Sequence, residues 1–170
     1  VNSGADISEC GRYRYRLWRD WSEEGGSCLF VMLNPSTADA EKDDPTIRKC
    51  VGFAQRWGFG AIYVVNLFAF RSTKPSGLLG LADPVGPENN AVIRAEAEAA
   101  RRIVFAWGSH TEIAAPLSVR AFVVRRMLGE HSKKTVVLGR CKDGNPRHPL
   151  MLSYDTPMAP GEKGGERRTS

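Results

Sequence analysis

Several polar side chains stand where the chain switches from apolar to polar. Asn34 ends the run Leu29 to Leu33 and is followed by Pro35. Asn66 ends the run Ala61 to Val65, and His148 lies between Arg147 and Pro149. Asp39, with Asp43 and Asp44, forms an acidic cluster just beyond Asn34. An amide both donates and accepts, a neutral imidazole donates from one nitrogen, and a carboxylate can take a proton. Gathered in one cleft, such groups could hydrogen-bond a bound ligand. Pro35 fixes its own φ and biases Asn34 towards an extended conformation, so the amide would be held in a rigid pose. An Asn after a strand is also an ordinary turn former, because its side chain can bond its own backbone. That reading suits Asn66 less well, since apolar residues flank it on both sides and a buried amide needs partners.

Other chemistries find little support. No Gly-x-Gly-x-x-Gly and no phosphate-binding loop occurs, so a nucleotide cofactor is not expected. The cysteines, Cys10, Cys28, Cys50 and Cys141, are spread singly with no Cys-x-x-Cys pair. They read as reduced thiols rather than metal ligands, and the histidines and acids give no recognisable zinc set. Neither a metal nor another cofactor is expected.

The elements that must carry the polar groups follow from periodicity. Tyr13 to Arg19 alternates in the manner of a strand, with Tyr13, Tyr15 and Leu17 expected inward and Arg12, Arg14 and Arg16 outward. Asp44 and Pro45 have the chemistry of an N-cap and a first helical position. Ile47, Cys50, Val51, Ala54 and Trp57 then recur at helical spacing up to Gly58. Further helices are expected from about Asn89 to Arg101 and over 112–128. Further strands are expected at Arg102 to Trp107 and Thr135 to Leu138. This alternation predicts a three-layer α/β/α fold around a central, mostly parallel four-stranded sheet. A single domain over 11–156 is expected, with flexible termini at 1–10 and 157–170. In such a sheet the carboxyl ends of the strands share one edge, where ligands bind. Asn34, Asn66 and His148 are therefore expected in one cleft.

The 170 residues, 42% hydrophobic and 25% charged, have the composition of an ordinary globular chain. No apolar run approaches the ~20 residues of a membrane span, and no basic-then-apolar leader opens the sequence. A cytoplasmic monomer without a membrane partner is expected. The net charge of +5 suits a nucleic-acid partner without requiring one. Lys133, Lys134, Arg140, Lys142 and Arg147 supply basic groups that would contact phosphates or simply face solvent.

Longer stretches carry a resemblance. Tyr-Arg-Tyr-Arg-Leu-Trp, Met-Leu-Asn-Pro-Ser-Thr-Ala-Asp, Asp-Asp-Pro-Thr-Ile-Arg, Asn-Leu-Phe-Ala-Phe-Arg, Asp-Pro-Val-Gly-Pro-Glu-Asn, Ala-Trp-Gly and Pro-Arg-His-Pro-Leu together resemble an uncharacterised family, a domain of unknown function. That likeness runs from Tyr13 to about Leu152. More remotely, the series of strand ends resembles the uracil-DNA glycosylase superfamily. Met32-Leu33-Asn34-Pro35-Ser36 is similar to its Gly-x-Asn-Pro-Gly motif, and Val64-Val65-Asn66-Leu67 to its base-reading strand. Ile103 to Gly108 is similar to its strand ending in Trp-Gly or Leu-Gly, and His148-Pro149-Leu150 to the start of its His-Pro loop.

The resemblance implies an enzyme that hydrolyses the N-glycosidic bond of a flipped, damaged or modified base in DNA. Asn34 would then position the water, Asn66 would pair with the base edge, and His148 would donate to a base oxygen. Asp39 would serve as a carboxylate helper. Pro35 and Phe68 would lie beside the base, with Phe70 or Trp107 as other sources of a stacking face. Leu150 or Met151 would wedge into the base stack, and Lys133, Lys134, Arg140, Lys142 and Arg147 would contact phosphates. The sequence departs from the superfamily at Ser36, in having no aromatic residue over 36–46, and in lacking Ser-Pro after His148-Pro149. Two other readings stand beside this one. The first is a base-binding module without hydrolysis. The second is a metal-dependent hydrolase using Asp39, Asp43, Asp44 and His148.

Overall fold

Seven strands form one mixed sheet in the computed structural model, which describes residues 2–162. The strands are β1 (Asn2–Ile7), β2 (Arg14–Asp20), β3 (Ser27–Met32), β4 (Ala61–Asn66), β5 (Arg102–Phe105), β6 (Thr135–Val137) and β7 (Ala159–Pro160). The helices are α1 (Pro45–Arg56), α2 (Asn89–Ala99) and α3 (Ala114–Met127). The sheet order is β1-β2-β4-β3-β5-β6-β7. The strands β4, β3, β5 and β6 run parallel. β1, β2 and β7 add antiparallel pairs at the two sides. The sheet is thus wider than the four strands expected.

The inner strands are apolar on both faces, as a sheet covered by helices on both sides requires. Leu29, Val31, Val65, Ile103, Phe105 and Val137 pack with Ile93 of α2 and Leu117 and Val124 of α3. Cys28, Phe30, Ile62, Val64, Val104 and Val136 face the other way, against Ile47, Cys50 and Phe53 of α1. Helix α1 starts as its sequence dictates: Asp44 Oδ1 accepts from Ile47 N at 2.9 Å, and Pro45 occupies the first turn.

Two expectations fail for identifiable reasons. The first ten residues do not lie loose, since Asn2–Ile7 pairs along its length with β2. Gly4 lets the Trp18 ring lie directly over that strand, where a Cβ would come within 2.1 Å of it. Backbone pairing of this kind leaves no alternating apolar signal to read. At the other end, Ala159–Pro160 pairs with β6; residues 163–170 of the expected tail lie outside the described residues.

The second failure concerns Arg14. Asp6 pairs with Arg16 and Ile7 with Arg14, so Tyr15 is an extra residue in β2. This bulge reverses the side-chain alternation beyond it. Leu17 and Arg19 face the α1 side, and so does Arg14, which is 3% exposed rather than outward.

Candidate functional site

The order of the inner strands places the site. The chain passes from β3 outward to β4 and then returns across β3 to β5. The carboxyl ends of β3 and β5 therefore part company, which opens a crevice at that edge. A cavity of about 180 Å³ lies there. Asn34, Asn66 and His148 all line it, together with Arg14, Ser36, Asp44, Thr46, Ser72 and His110. A cavity of roughly 150 Å³ admits a benzene ring, so this one suits a single six-membered heterocycle.

Backbone pairing continues past the strand ends and fixes the walls. Leu67 N donates to Met32 O at 2.9 Å, Phe68 N to Leu33 O at 3.0 Å and Ser72 N to Pro35 O at 3.0 Å. Within this frame Asn34 Nδ2 donates to Ser72 O at 2.8 Å and Pro35 O at 3.1 Å. Both partners are carbonyl oxygens, which can only accept, so the amide has one possible orientation. Its Oδ1 is left as an acceptor, with no donor to it among the described residues.

Asn66 is 1% exposed. Its carbonyl accepts from Asn89 Nδ2 at 2.9 Å, which anchors the backbone. Its own Nδ2 is buried without a partner. Arg14 presents a second such group: Nη1 donates to Ala38 O at 2.8 Å, while Nε is buried and unpartnered. Burial pushes the Arg14 guanidinium down to about 10, with Asp44 and Asp39 opposing and Arg71 and Arg19 reinforcing the shift. It remains a cation at neutral pH.

His148 reaches the cavity from the loop after β6. That loop is tied down by Gly108 N to Pro146 O at 2.9 Å, Arg147 N to Gly139 O at 3.0 Å and Trp107 Nε1 to Asn145 Oδ1 at 3.0 Å. Gly108 has φ +76°, and a Cβ there would sit 3.3 Å from both His148 Cβ and His110 Nε2. Burial lowers the His148 pKa below its ordinary 6.5, helped by His110 and opposed by Asp44. The neutral ring accepts from Leu150 N at its Nδ1, 3.2 Å away. The ring proton therefore resides on Nε2, leaving a donor. His110 is held by a 2.7 Å bond from Nε2 to Trp107 O.

The other expected site residues are distributed as follows. Pro35 is buried, and its carbonyl holds Asn34 and Ser72. Asp39 does not line the cavity; its carboxylate accepts from Glu41 N at 2.9 Å and Lys42 N at 2.8 Å. The carboxylate at the cavity is that of Asp44. Phe68 lies in the core on the α2 and α3 side, because it follows Asn66 past the sheet edge and turns away from the cavity. Trp107 is likewise buried there, and Phe70 packs edge-on against Tyr13 at 5.9 Å. Among the described residues no Phe, Tyr or Trp lines the cavity.

Lys133 and Lys134 precede β6 and so lie at the edge of the sheet opposite the cavity. Lys134 Nζ caps the end of α2 by donating to Ala100 O at 2.7 Å. Arg140 donates to Gly161 O at 2.7 Å, whereas Lys142 and Arg147 are exposed on the His148 loop. Leu150 is 38% and Met151 90% exposed beside His148. Asp43 pairs with Arg19 at 2.8 Å and Asp44 caps α1, so the acids are engaged separately. Among the described residues, the group whose ligand atoms do converge as a metal site would need is Glu98, Glu130 and His131, on the opposite edge.

Arg14, Ser72 and His110 were not legible as site residues, and Asp44 was a candidate only in the metal-dependent reading. Arg14 is hidden by the bulge. Asp44 reads first as a cap, which it also is. Ser72 and His110 reach the site only through the course of their loops.

Fold and site together define a mixed α/β protein with a small cavity, lined by polar and apolar side chains, at the carboxyl edge of its parallel strands. The chain belongs to the family described as a protein of unknown function (DUF1643), whose model matches residues 14–150. Searches of curated proteins and of solved structures find no match to it.

Proposed function

We propose that this protein is a glycosylase-like enzyme that hydrolyses the N-glycosidic bond of a flipped, modified or damaged base, with DNA as the partner. The observation that carries this reading is the combination in one ring-sized cavity of a free acceptor at Asn34, an orphaned donor at Asn66 and a neutral imidazole donor at His148. The strand-end resemblance to the uracil-DNA glycosylase superfamily leads to the same three residues.

In this mechanism Asn66 Nδ2 pairs with the base edge and His148 Nε2–H donates to a base oxygen. The C1′–N bond breaks with its electron pair passing to the base, whose developing negative charge these donors stabilise. Asn34 Oδ1 accepts a hydrogen bond from the water that adds to C1′. The water proton passes to Asp44, which takes the helper role expected of Asp39. The departing base anion is protonated by solvent. Leu150 and Met151, exposed beside His148, would fill the gap left in the stack, and Lys142 and Arg147 would contact phosphates.

One observation favours a second reading. Among the described residues no Phe, Tyr or Trp lines the cavity to offer a broad stacking face for a flipped base, which suits a module that binds a base without hydrolysing it. Incubation with oligonucleotides carrying varied lesions and modified bases, followed by alkaline cleavage of abasic sites, separates the two. Strand breaks that vanish in Asn34→Ala and His148→Ala support the glycosylase. Tight binding without breaks supports the module, and neither binding nor breaks with any substrate defeats both.

A further inference from the structure

Among the described residues, Arg14 is the sole Lys or Arg side chain in the cavity wall. It is 3% exposed, its Nε has no partner, and no carboxylate among the described residues forms an ion pair with it. Asn66 Nδ2, in the same cavity and on a residue 1% exposed, is orphaned too. Native folds rarely leave buried donors unpaired, and a buried charge is retained at a cost unless something compensates it. The charges that face Arg14 compensate incompletely. Asp44 lines the cavity but spends Oδ1 on capping α1, and Asp39 is turned to its own loop. Arg71 and Arg19 add further positive potential. The fold thus sets a buried cation and a buried amide, each with an unpaired N–H, in the wall of the cavity.

We propose that the molecule held here is a six-membered heterocycle bearing a formal negative charge at neutral pH, as a carboxylate or an ionised ring nitrogen, and that the Arg14 guanidinium and the Asn66 amide in the cavity wall take its anionic edge. This rests on the base-binding reading above but not on hydrolysis. It makes Arg14 the residue that selects among bases, by penalising those that leave its charge unpaired. The cavity, about 180 Å³, has room for one ring with a small substituent.

The test is calorimetric binding of free bases: 5-carboxyuracil and 6-carboxyuracil against uracil and thymine. On the wild-type chain at least one carboxylated base should bind roughly tenfold to hundredfold more tightly than uracil, the value of a charge-assisted hydrogen bond. Arg14→Met, of similar length without the charge, should lose that preference. Its thermal midpoint should not fall steeply, because relief of a buried charge with no carboxylate partner offsets the loss of the Nη1 bond to Ala38 O. A purely structural Arg14 would give the reverse, a lowered midpoint with an unchanged preference. Should the variant not fold, the wild-type preference decides alone. Uracil binding as tightly as both carboxylated bases, no binding of either, or a preference retained in Arg14→Met overturns the inference. Anion-selective binding without base release defeats the hydrolytic reading only. Base release without anion preference defeats this one only.

Discussion

The orientation of the Asn34 amide can be tested by two substitutions at one position. Nδ2 makes two hydrogen bonds, to Ser72 O at 2.8 Å and Pro35 O at 3.1 Å. Asn34→Ala removes both. At roughly 1 kcal/mol each, the loss is about 2 kcal/mol, or some ~4–8 °C in thermal midpoint for a chain of this size. Asn34→Asp preserves the shape but turns a carboxylate oxygen towards two carbonyl oxygens. Attraction becomes repulsion, and a further ~1–3 kcal/mol is lost at neutral pH. The introduced carboxyl has its pKa raised in the folded state, so its protonated form is favoured there. Stability is then present at low pH and lost as pH rises through the folded pKa. Thermal melts of the three proteins near pH 7.5 and about pH 5 should rank wild type above Asn34→Ala above Asn34→Asp at the higher pH, with the gap between the variants narrowing at the lower. An Asp variant as stable as the Ala variant at neutral pH would show the amide reversed. Oδ1 would then not face the cavity, and Asn34 could not accept from a nucleophilic water.

Two further outcomes follow from the same edge of the sheet. His148 has a folded pKa below its ordinary 6.5, so its contribution is present above that value and lost as pH falls through the folded pKa. His148→Gln should therefore flatten the decline of thermal midpoint between about pH 7 and pH 5, and identical slopes would refute the burial argument. Gly108→Ala forces a side chain onto φ +76° and into contact at 3.3 Å with His148 and His110. It should cost about 1–2 kcal/mol of stability by urea titration and, if the proposed glycosylase reading holds, abolish base release, and an unchanged midpoint would show that the crossing of the two loops is loose.

The local elements were legible because each rests on short-range chemistry. Asp44-Pro45 at the start of α1, the helical spacing of Ile47, Cys50 and Ala54, and the two-sided apolar runs of the inner strands depend only on neighbours in the chain. Strand ends were legible for the same reason, and Asn34, Asn66 and His148 do share one cavity. What the residues could not convey is how far each side chain is carried once strands pair. The extra residue at Tyr15 turns Arg14 from solvent to cavity, and nothing in an alternating sequence marks a bulge. The strand at Asn2–Ile7 is held by backbone pairing with β2, which has no side-chain signature. Lys133 and Lys142 look like one basic run, yet the crossing of β6 sends them to opposite edges of the sheet. Asp39 stands nearer Asn34 in sequence and Asp44 reads first as a cap, and only the turn after Asn34 decides that Asp44 meets the cavity. Short-range preferences set which residues end each strand. Long-range pairing set which of them face one another.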